Sequence, residues 1–191
     1  MIDPIAMWLV EFAKIPPDTT GDQAPKNIAD FLDQRVTAKL DLNNSIAKIT
    51  PPPQFTWQKS IFQAQFMLLS KIPAVDPISP AIKIAQAWQA ATMASTLMIS
   101  AGAAIAPPPP GTNGIAATAV AIIDPATLAA AMSGLIADLS AAQPTPSAAT
   151  SVLPKALYKA FTSITYTITG MDTKPPPTGP IPIMLPLTGV M

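Results

Sequence analysis

Three uninterrupted proline runs, Pro51–Pro53, Pro107–Pro110 and Pro175–Pro177, constrain this chain more than any other feature. Each proline lacks the amide donor that a helix interior or a central strand requires, and each biases the residue before it toward extended backbone. With 24 prolines in 191 residues, against a usual ~5%, the chain has to be built from short elements joined by extended connections.

The composition is nevertheless not that of a disordered protein. Hydrophobic residues make up 49% and charged residues 12%, about half the charge of an ordinary soluble domain. A surface so short of charge implies cover, by partner subunits, by further copies of the chain or by lipid. Eleven basic and eleven acidic residues cancel. With no basic stripe interleaved with aromatics, there is no electrostatic footprint for nucleic acid. Absence of cysteine excludes disulfides and thiolate metal sites. The start Met1-Ile2-Asp3-Pro4 has no basic n-region and Glu11 interrupts the apolar stretch, which argues against a secretory signal.

Periodicity predicts a mainly α fold, a small irregular bundle of about five helices joined by proline-rich linkers. After Pro4, Ile5, Trp8, Leu9 and Phe12 stand at helical spacing. From Asn27, a candidate N-cap, to about Ile49, an apolar side carries Ile28, Phe31, Leu32, Val36, Leu40 and Ile46. Phe55 to Lys71 repeats Trp57, Ile61, Phe62, Phe66 and Leu69 at three and four. Ser79-Pro80 is a helix start, and the helix is expected to run to about Ala106. A further helix follows Asp124-Pro125, with Leu128, Met132, Leu135, Ile136 and Leu139 on one face; another begins near Ser151 or Pro154 and includes Leu157, Tyr158 and Phe161. Residues 163–169 alternate strictly and read either as a short edge strand or as a continuation of that helix. The tail 171–191 holds six prolines and reads as an extended arm. Three segments result: 1–50 with most of the charges, a neutral Ala/Pro-rich helical core over 51–170, and the arm 171–191. No internal repeat is visible.

Candidate chemistry is sparse. Without histidine there is no Ser-His-Asp triad, Cys-His dyad or histidine metal site, and Glu11 is the only glutamate. Asp30 and Asp33, one turn apart, read as a solvated face. Ser70-Lys71 are adjacent and so do not face each other on a helix. Gly111-Thr-Asn-Gly114 reads as a turn, Asp124 as an N-cap, and Met93, Met98 and Met132 as packing. The chain is therefore expected to be no enzyme, with no catalytic, cofactor-binding or metal-binding residues and no cofactor.

The Pro107–Pro110 run followed by Gly-Thr-Asn-Gly, the Ala/Thr/Ser-rich helices and the Pro175–Met191 arm together give the chain a style. In it the chain resembles minor structural proteins of tailed bacteriophages, in a tail, baseplate or neck. That resemblance implies a virion subunit, assembled in the cytoplasm, whose partners are other subunits of the same particle. The alternative comes from residues 84–123, which carry no charge. A helix from Ile84 to Ala106 would be ~34 Å long at ~1.5 Å per residue, enough to cross a bilayer, and 115–139 would be a second span of a hairpin or pore. Contact surfaces are expected chiefly at 84–142 and 171–191.

Overall fold

The computed structural model of the chain describes residues 4–16, 23–39, 48–51, 54–76, 78–106, 119–141, 146–171 and 180–186. It is mainly α. Among the described residues six helices, α1 (Pro4–Phe12), α2 (Gln23–Lys39), α3 (Lys59–Ser70), α4 (Ser79–Met93), α5 (Pro125–Ala141) and α6 (Pro146–Ser163), pack with seven strands. The strands are β1 (Lys48–Thr50), β2 (Gln54–Thr56), β3 (Thr96–Ile99), β4 (Ala104–Ala106), β5 (Ala119–Ile123), β6 (Thr165–Met171) and β7 (Pro180–Pro186). One sheet has the order β2-β3-β5-β6-β7, antiparallel throughout, and β1 pairs with β4.

Several helix ends differ from expectation. α2 begins at Gln23, not at an Asn27 cap, because Pro25 sits in its first turn, where a missing amide is harmless. Asn27 instead donates its side-chain amide to the Pro16 carbonyl at 3.4 Å. Lys48 and Ile49 belong to β1, and residues 40–47 lie outside the described set. Phe55 and Thr56 are strand, not helix, since Phe55 turns into the core between exposed Gln54 and Thr56.

The long neutral helix is the largest correction. α4 ends at Met93, and the rest of the stretch to Ala106 is β3, a turn and β4. Thr96–Ile99 has period two, with Leu97 and Ile99 buried and Thr96 and Met98 exposed. Hydroxyls of Thr92 and Ser95 bind the carbonyls four residues back, on Trp88 and Ala91, both at 2.7 Å, where the helix gives out. Ala119–Ile123 is likewise strand rather than part of a second span. Of residues 163–169, Ser163 still ends α6 and only 165–169 are strand, part of β6, which is interior, flanked by β5 and β7. Part of the expected arm, 180–186, is the strand that covers it. The prolines at 107–110 and 175–177 lie outside the described residues.

The same succession of strand, two helices and antiparallel return strand occurs twice, as β2-α3-α4-β3 and as β5-α5-α6-β6. Each unit closes through a hydroxyl at the head of its return strand. Ser95 Oγ accepts the amide hydrogen of Gln58, the N-cap of α3, at 3.2 Å. Thr165 Oγ1 lies 3.2 Å from Thr127 Oγ1 and 3.4 Å from Asp124 Oδ2, and Asp124 also accepts the Ala126 amide at 2.9 Å as the expected N-cap of α5. The two units share one core. Phe161 stacks edge-on against Trp57 and Trp88, with ring centroids 5.9 and 5.6 Å away, and Trp8 joins α1 to Phe31 and Tyr158.

Candidate functional site

Several of the sequence candidates for chemistry make contacts that hold the fold together. Lys59, at the start of α3, places Nζ 2.6 Å from Asp30 and 3.9 Å from Asp33, while Lys26 reaches Asp30 at 3.3 Å. The hydrogen bond from Lys59 is the largest cause holding the Asp30 carboxyl below its ordinary range, with partial burial opposing it. The Lys59 ammonium is raised by the same bond. Through Lys59 the Asp30 and Asp33 carboxylates tie α2 to α3.

Ser70 donates its hydroxyl to the Met67 carbonyl at 2.9 Å, and Lys71 beside it is exposed. Met132 packs against the core, whereas Met93 and Met98 are exposed, against the expectation of packing. Gly111–Gly114 lies outside the described residues. Among the described residues no three His, Cys, Asp or Glu side chains gather as metal ligands would, and no helix is long and apolar enough to cross a membrane.

What the fold does present is an apolar surface at the turn between α3 and α4. Leu68, Ile72, Val75 and Ile78 are 61%, 51%, 88% and 47% exposed. Leu68 falls outside the Ile61-Phe62-Phe66-Leu69 stripe that α3 turns to the core, so it faces outward by helical geometry. The turn is built, not loose. Asp76 Oδ1 accepts the amides of Ile78 at 2.9 Å and Ser79 at 2.6 Å and the Ser79 hydroxyl at 3.0 Å. Those bonds, led by the Ser79 hydroxyl, hold the Asp76 carboxyl below its ordinary range. Lys83 Nζ donates to the Ile72 carbonyl. Beneath the tip lies a cavity of about 350 Å³ lined chiefly by Phe66, Ile72, Pro73, Pro80 and Ile84.

This surface lies N-terminal to the 84–142 segment expected to make contacts. A signal for it exists in the sequence: Ile72, Val75 and Ile78 are large aliphatic residues in a stretch bounded by Pro73, Pro77 and Pro80, where a solvated turn would carry polar residues. Comparison with family models, with curated proteins and with solved structures finds no match to this chain.

Proposed function

We propose that the chain is a structural subunit of a large multiprotein particle, of the kind found in the tail, baseplate or neck of a tailed phage, and that it performs no catalysis. The observation that carries this reading is the exposed aliphatic surface Leu68-Ile72-Val75-Ile78, held on a hydrogen-bonded turn. Four large aliphatics on one tip are costly to leave in water and gain by burial against a neighbour. The low charge content, 12%, supports the same reading. A membrane-inserting hairpin draws no support from the neutral stretch, whose described residues are helical only as far as Met93.

Sedimentation of a lysate of the source cells, with the chain detected by mass spectrometry, tests the proposal. The chain is expected in a fast-sedimenting particle together with other subunits. A chain that remains at its own 19.9 kDa, absent from every particle fraction, overturns it.

A further inference from the structure

The edge of the five-stranded sheet formed by β7 has an unusual donor pattern, and the backbone alone fixes it. Antiparallel residues alternate between those whose N–H and C=O face one neighbour and those that face the other. The Asp124 amide donates to the Thr165 carbonyl at 2.9 Å, so Thr165 faces β5. By alternation Thr167, Thr169 and Met171 face β5 as well, and Tyr166, Ile168 and Gly170 face β7. Their partners on β7 are Leu185, Ile183 and Ile181. The remaining β7 residues, Pro180, Pro182, Met184 and Pro186, direct their backbone groups away from the sheet. The prolines thus leave the ladder to β6 intact, and the outer edge offers an N–H only at Met184.

We propose that β7 is a capping strand, whose outward prolines close this edge of the sheet to addition of a strand from another chain. Strand pairing needs donors from both sides at every second residue, and an open edge is otherwise a template for association. The inference concerns the sheet edge alone and stands whether or not the assembly reading holds.

A pair of single variants in the full chain tests the parity. Ile183→Pro removes an inward donor, and the Ile168 and Gly170 amides should lose about tenfold or more of their protection from hydrogen exchange. Met184→Pro removes only an outward donor, and the same amides should keep theirs. Equal loss in both variants, or the reverse order, overturns the assignment. The triple variant Pro180→Thr, Pro182→Thr, Pro186→Thr restores the outward donors. By light scattering its mass should rise with concentration relative to the unaltered chain, and an unchanged mass in a folded triple variant overturns the capping role.

Discussion

Ser95 Oγ stands between two backbone groups, accepting the Gln58 amide hydrogen at 3.2 Å and donating to the Ala91 carbonyl at 2.7 Å. One buried hydroxyl therefore joins the end of α4, the head of β3 and the N-cap of α3. Ser95→Ala leaves the Gln58 amide without this acceptor, and an orphaned donor of this kind costs about 1–3 kcal/mol. A urea titration should show the midpoint fall with little change in slope, and the Gln58 amide should exchange faster.

Phe161 is fully buried between Trp57 and Trp88. Phe161→Ala is expected to cost about 3–5 kcal/mol through lost transfer energy and the cavity left behind, read by chemical denaturation. The indole N–H groups of Trp8, Trp57 and Trp88 are buried and make no hydrogen bond to another described residue. Trp88→Phe removes one such donor as well as volume, and should be clearly milder than Trp88→Ala.

The Asp30–Lys59 pair gives a pH dependence whose sign follows from the direction of each shift. The Asp30 carboxyl is lowered on folding, so its contribution is present above the unfolded value near ~3.9 and is lost as pH falls through the folded one. The Lys59 ammonium is raised, so its contribution is present below ~10.4 and lost as pH rises through the folded value. Both side chains are partly exposed, 30% for Asp30 and 40% for Lys59, and solvent screens the pair. Asp30→Asn should cost no more than about 1 kcal/mol at neutral pH. It should also flatten thermal stability against pH in the acid window, measured by calorimetry.

At the α3–α4 tip stability and assembly should separate. Val75→Asp and Ile72→Asp change exposed positions and should alter the unfolding free energy by only about 0.5 kcal/mol. The same variants should be depleted from the sedimenting particle, measured by co-sedimentation against the unaltered chain. Retention at full occupancy would show that this tip is not a contact.

The sequence is legible where a boundary residue has a local reason to be there. Asp124-Pro125 opens α5 as its composition implies, and Pro4 opens α1. The alternation over 163–169 admits β6 without deciding for it, since α6 could continue through the same residues, and the partners β5 and β7 settle the strand from Thr165 on. β3 is hidden because Ala, Ser and Thr around it suit a helix as well as a strand, and its identity comes from the partners β2 and β5 across the sheet. The proline-bearing tail hides β7 for a similar reason, since prolines exclude a strand only when their amides point into the ladder. The exposed aliphatics of the α3–α4 turn are hard to foresee because lack of charge is spread over many residues, whereas exposure depends on which face of α3 meets α4.

The two hydroxyl closures also bear on how the chain reaches this structure. Ser95 finds Gln58 across 37 residues and Thr165 finds Asp124 across 41, so each strand-helix-helix-strand unit can complete its own circuit before the other exists. Loops of that length cost little more entropy than shorter ones. During synthesis the first unit can close while the second is still being made, and the later one then adds β5 to a β3 edge already in place.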